Sequence, residues 1–89
     1  MTSKQRAELR GLANRLDAIL QIGKQGVTPE VVEAAGEALA ARELIKITVL
    51  PNCGLTPREA AEMLAGRARA ECVQVVGRKA VLYKKAKGS

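Results

Sequence analysis

Two hydrophobic periods alternate along the chain, and each change of period marks a new element. Leu9, Leu12, Ala13 and Leu16 follow the i, i+3, i+4, i+7 spacing of an apolar helical stripe. That spacing predicts a helix over residues 3–14, with Thr2 at its N-cap and Gln5 three positions on. Lys4 and Arg15 flank the stripe on one side, Arg6 and Arg10 on the other. Ala18-Ile-Leu-Gln-Ile22 is then a short apolar run ending at a glycine, which predicts a buried strand. Thr28-Pro29-Glu30 supplies an N-cap, a proline at the first helical position and an acid at the positive end of the dipole. Val31, Ala35, Ala38 and Leu39 carry this second helix as far as Arg42.

Period two returns at Leu44–Leu50. Ile45, Ile47 and Val49 share one face there, and Lys46 and Thr48 the other, so a half-buried strand is expected. Pro51-Asn-Cys-Gly54 is a turn, and Thr56-Pro57-Arg58-Glu59 has the spacing of a capping box opening a third helix to about Arg69. Cys72–Val76 and Lys79–Tyr83 flank Gly77-Arg78 as a hairpin. The order is a helix followed by β-α-β-α-β-β. It predicts an α/β fold with parallel crossovers, its four-stranded mixed sheet closed by the antiparallel hairpin and covered by helices.

Composition narrows what such a fold can do. Eighty-nine residues make one domain, here expected to span 1–84, with 85–89 as a basic solvated tail. The hydrophobic fraction is 47%, high enough for a core, yet there is no Phe, no Trp and one Tyr. No histidine is present, which excludes histidine acid–base catalysis and histidine metal ligation within the chain. Two cysteines cannot complete a tetrahedral zinc site. Cys72 is expected in the core and Cys53 exposed in its loop, neither with a chemical role. Glu30, Glu33, Glu37, Glu59 and Glu62 are spaced as solvent-facing helix residues, without a metal-site pattern. The expectation is therefore a non-enzyme without cofactor, metal or small-molecule substrate. The polar start Met1-Thr-Ser-Lys-Gln-Arg and the lack of a long apolar run point to a cytoplasmic protein away from membranes.

The net charge is +6 and unevenly spread. Residues 1–27 hold five basic and two acidic side chains, residues 28–64 three and six, and residues 65–89 seven and one. Positive ends around a negative middle favour a polyanionic partner if the fold brings those ends together. With Tyr83 as the single aromatic, contacts are expected to run through phosphate rather than stacked bases.

Gly23-Lys24-Gln25-Gly26, between a strand and a helix start, has the chemistry for such contacts. Glycines at both ends allow positive φ and close approach of the backbone. The helix beyond offers free N–H groups to a phosphate. K-homology domains clamp nucleic-acid backbone with a Gly-x-x-Gly loop of this kind. A tight turn with an exposed lysine is the plainer account of the same four residues.

In this order the segments resemble the CRM family (chloroplast RNA splicing and ribosome maturation), in its bacterial single-domain, YhbY-like form. Residues 2–13 resemble its opening helix, Ile22-Gly-Lys-Gln-Gly-Val-Thr28 its Gly-x-x-Gly loop, Glu43–Ile47 its second strand and Val73–Tyr83 its closing hairpin. Arg69-Ala70 stands where the family often has Gly-Ala after the third helix. The resemblance implies a fold similar to the C-terminal domain of bacterial translation initiation factor three. It also implies RNA binding without catalysis, with large-subunit (pre-50S) ribosomal RNA as the partner. The RNA-binding residues expected are Gly23, Lys24, Gln25, Gly26 and Thr28 at the loop. Lys4, Arg6 and Arg10 on the first helix, and Arg78, Lys79 and Lys84 around the hairpin, extend them. Two alternatives stay open: a nucleoid-type protein that coats DNA or RNA, and an interaction module for an acidic protein partner.

Overall fold

The computed structural model describes residues 2–85; Met1 and most of the expected basic tail, residues 86–89, lie outside them. The elements are α1 (Ser3–Ala13), β1 (Leu20–Ile22), α2 (Pro29–Arg42), β2 (Leu44–Val49), a 3-10 turn (Pro51–Cys53), α3 (Pro57–Ala68), β3 (Glu71–Val76) and β4 (Lys79–Tyr83). They form the expected α/β fold, with a four-stranded mixed sheet. Three threonines start the three helices. The hydroxyl oxygens of Thr2, Thr28 and Thr56 accept from the backbone N–H of Gln5, Val31 and Glu59 at 3.1, 3.2 and 3.1 Å. Glu59 returns the bond to the Thr56 N–H, closing the capping box.

The sheet order is β1-β2-β4-β3, with β1 parallel to β2 and β4 antiparallel to both neighbours. The returning strand of the hairpin thus sits centrally. Ala80, Val81 and Leu82 on it are buried on alternating faces, because helices cover both sides of the sheet there. The edges are poor templates for pairing with another chain: β1 has three residues, and β3 is bulged between Cys72 and Gln74.

Helices α2 and α3 pack on one face. Ile22, Leu39, Ile45, Ile47, Val49, Leu64 and Leu82 form the main core there, tightened by the alanines of α3. Helix α1 packs on the other face through a smaller cluster of Leu9, Ala13, Val73 and Val81, bordered by Leu44 and Tyr83.

Three local expectations need correction. The first strand is Leu20–Ile22 rather than 18–22: the Ile19 N–H already donates to the Lys46 carbonyl at 2.9 Å, but the Ile19 side chain is exposed. Leu12 is 57% exposed, because α1 touches the sheet only through the row that carries Leu9 and Ala13. The cysteines are reversed. Cys53 is buried because its turn folds back under the α2–α3 layer, whereas Cys72 lies on edge strand β3 and is half-exposed. The third helix ends where expected, at Ala68 with Arg69 as its cap in the left-handed region (φ 58°, ψ 42°), and the Ala70 N–H closes on the Ala65 carbonyl at 2.7 Å. This is the glycine-type termination made with an arginine, at a cost of about 1 kcal/mol.

Candidate nucleic-acid interface

The strand register sorts the expected site residues by position. Ile22 pairs with Val49, Thr48 with Lys79 and Lys79 with Val76, so the loop after β1 and the β3–β4 turn leave the same end of the sheet. At the other end, Leu44 pairs with Tyr83 and Tyr83 with Glu71.

At the first end, the Gly26 N–H donates to the Gly23 carbonyl at 2.9 Å and closes a turn with Lys24 and Gln25 exposed at its corners. Only one of the two glycines is demanded by the backbone. Gly26 has φ +73°, whereas Gly23 has no positive φ, and a Cβ on it would meet Leu50 at an ordinary 3.6 Å. The expectation of two conformationally special glycines is therefore corrected to one. The turn is anchored from behind. Val27 is buried in the main core, and the Arg67 guanidinium donates to its carbonyl at 3.0 Å.

Thr28 holds the start of α2 through its side-chain oxygen, and its O–H remains able to donate. Pro29 has no N–H and the Val31 N–H is taken, so the first turn of α2 has fewer donors than the motif suggests. Arg78 and Lys79 are exposed beside this loop end, and the Arg78 carbonyl accepts from the Val49 N–H at 2.7 Å. Lys24, Gln25, Arg78 and Lys79 are thus gathered at one end of the sheet.

The remaining cations lie elsewhere. Gln5 shares a groove with Arg69, Tyr83 and Lys84, which puts the first turn of α1, with Lys4 and Arg6, toward the opposite end. Arg6 also lines a shallow groove with Glu62, Glu71 and Cys72. Arg10, one turn further along, is exposed. The Lys84 ammonium donates to the Ala68 carbonyl at 3.3 Å, and its backbone N–H donates to Glu43 at 2.9 Å. Lys84 therefore ties the end of α3 to β4, away from the loop.

Most of the acidic residues lie on α2 and α3, and Glu30 among them stands in the first turn of α2, two residues from Thr28. Glu30, Glu33, Glu37, Glu59 and Glu62 are all exposed on α2 and α3, where Glu62 pairs with Arg58 at 3.4 Å. Burial, and then Glu62, push the Cys72 thiol above its ordinary pKa, partly offset by Arg58 and Arg6. Among the described residues, no group of three or more potential ligands comes together as a metal site. Nor is any described helix long and apolar enough to cross a membrane.

Lys46 carries no sign of a site in the sequence. The alternation of β2 had put it on the polar face, but only the register sets it beside Val81 and near α1, where its ammonium donates to the Leu16 carbonyl at 3.4 Å.

Comparison with known proteins gives consistent results. The chain matches the CRS1 / YhbY (CRM) domain over residues 1–84. It is 44% identical over 87 residues to the Bacillus subtilis (strain 168) protein named "Probable RNA-binding protein YqeI", covering 98% of this chain and 91% of that one. A Haemophilus influenzae protein named "RNA-binding protein" is 31% identical over 84 residues, covering 94% of this chain and 85% of its own. The solution structure of SAV1595 from Staphylococcus aureus superposes with a TM-score of 0.79 at 37% identity, over 98% of this chain and 91% of that one.

Proposed function

The chain belongs to the CRS1 / YhbY (CRM) domain family, and from that premise we propose that it is an RNA-binding protein of ribosome assembly. In this reading it works in the cytoplasm and grips large-subunit precursor RNA by its backbone. The observation that carries the proposal is the gathering of cations: Lys24, Arg78 and Lys79 are exposed at one sheet end, around a turn whose Gly26 takes a φ of +73°. Of the exposed carboxylates of α2, only Glu30, in the first turn, stands next to this loop in the chain; Glu33 and Glu37 follow further along the helix. Gly26 lets the backbone approach a phosphate, Lys24 and the Thr28 hydroxyl contact it, and Arg78 and Lys79 take neighbouring phosphates. The names of the relatives support RNA as the polyanion. The protein holds its RNA in this reading and carries out no reaction on it.

About three to four phosphate contacts give a slope of log K against log salt of roughly −2 to −4. The decisive experiment is gradient sedimentation of cell lysate at low magnesium. Co-migration with large-subunit precursors that is abolished by ribonuclease is the expected result. Association that survives ribonuclease overturns it in favour of a protein partner, and binding displaced equally well by duplex DNA favours a nucleoid-type coat.

A further inference from the structure

On the face away from α2 and α3, the part of the sheet nearest the loop is left open, and its side chains form a small built hollow. Across β2, β4 and β3, Lys46, Val81 and Gln74 stand side by side in register. Thr48, Lys79 and Val76 form the next row toward the hairpin turn. Asn14, the C-cap of α1, closes the remaining side. Asn14, Lys46, Gln74, Val76, Lys79 and Val81 together line a space of about 110 Å³.

The chemistry of this lining is specific. Val76 is 64% exposed on its strand and gives the hollow its apolar surface, while Val81 at its base is almost fully buried against α1. The side-chain amides of Asn14 and Gln74 make no hydrogen bond within the protein among the described residues. Each amide therefore offers a donor and an acceptor, the pair of functions that the edge of a nucleobase presents. Two ammonium groups stand at the rim and no carboxylate lines the space. The volume lies well below the roughly 300–1,000 Å³ of sites for drug-sized ligands, and suits a single ring.

We infer that this hollow accepts one unpaired base of the bound RNA, a contact that supplies sequence preference to a protein with almost no aromatic side chains. The inference rests on the RNA-binding reading above and deepens it. Lys79 belongs to both surfaces, so a strand whose phosphates lie at the Gly23–Gly26 turn and at Arg78 enters the hollow without leaving the protein. The base lies against Val76, its edge meets Asn14 and Gln74, and Lys46 and Lys79 face the flanking phosphates.

The test is fluorescence anisotropy with short single-stranded homopolymers of A, C, G and U. The proteins compared are the parent, the Asn14→Ala/Gln74→Ala double variant and Val76→Glu. The parent is expected to prefer one homopolymer over the weakest by about threefold to tenfold, the equivalent of one or two net hydrogen bonds. The double variant should bind all four alike with its salt slope unchanged, since it loses base contacts and no phosphate contact. Val76→Glu, at a solvent-facing position, checks the result independently by setting a negative charge where the base would lie. A parent that binds all four homopolymers alike, or a double variant that keeps the preference, overturns the base site and leaves the loop reading standing. A parent that binds no RNA overturns both.

Discussion

On β2, Ile45, Ile47 and Val49 point toward α2 and α3 and are buried, while Leu44, Lys46 and Thr48 on the opposite side stay half-exposed. The two sets are interleaved along one strand, yet one makes the core and the other borders the candidate interface. The difference lies in what covers them. Two helices close the first face with aliphatic side chains alone. The second face receives only α1, whose eleven residues shield Leu9, Ala13, Val73 and Val81 and leave the loop end of the sheet open. Burial on one face stabilises the sheet, and incomplete burial on the other leaves polar and cationic side chains free for a partner.

The largest expected effect breaks the buried face. Ile47→Ala should cost about 2–5 kcal/mol, because it opens a cavity at a fully buried position. Thr48→Ala, one residue along, should stay within about 0.5 kcal/mol. Urea unfolding of the two variants measures the contrast, and equal costs would mean that the faces are not functionally divided.

The next effect belongs to the open end. Gly26→Asp should lower RNA affinity by more than about tenfold by adding a like charge beside the phosphate. Its φ of +73° costs Ala about 1 kcal/mol of stability and Asp somewhat less, and nothing lies within 4 Å of a Cβ there. Gly26→Ala, with the strain and a Cβ but no charge, should therefore lose clearly less affinity than Gly26→Asp in a filter-binding assay. If both variants lose binding equally, conformation rather than charge governs the loop.

A smaller effect separates the two ends of the sheet. Lys24→Ala should make the salt slope shallower by about one and weaken different RNA sequences nearly equally. Lys84→Ala should leave the slope unchanged and cost about 0.5–1.5 kcal/mol of stability, because the Ala68 carbonyl loses its donor. Potassium titrations and thermal melts of the two variants give both readouts.

The smallest effect is at the cysteines. Cys53→Ala should cost about 1 kcal/mol and Cys72→Ala less, following their burial. Iodoacetamide should reach Cys72 in the folded protein, but slowly at neutral pH. Its raised pKa keeps the thiol protonated, so alkylation accelerates only above the pH at which a free peptide cysteine reacts. Faster modification of Cys53 than of Cys72 in the native state would overturn the burial assignment.

The elements and the caps could be read directly from the chain. Thr28-Pro29 and Thr56-Pro57 announce helix starts through side-chain-to-backbone bonds that span three residues, and the alternation of Leu44–Val49 states both faces of β2 in advance. The loop was legible for the same reason, as a contiguous four-residue turn. Other features depend on partners far along the chain: the insertion of β4 between β2 and β3, the face that α1 takes, and the capture of Lys84 by the end of α3. Sequence position alone also misjudged the cysteines, because the depth of Cys53 depends on how its turn folds under helices many residues away.

The amino-acid sequence by itself thus determined the order of the elements, where each helix begins, the two faces of β2, and that cations collect toward both ends of the chain. Those properties depend on side chains within a few residues of one another, where local hydrogen bonds and periodicity operate. Only the tertiary structure decided that Lys24 and Lys79 belong to one end of the sheet and Lys84 to the other. It also decided that Asn14, Lys46 and Gln74 converge on one hollow. These placements follow from strand register and from which apolar surfaces are closed together, both of which are settled by packing across the whole chain.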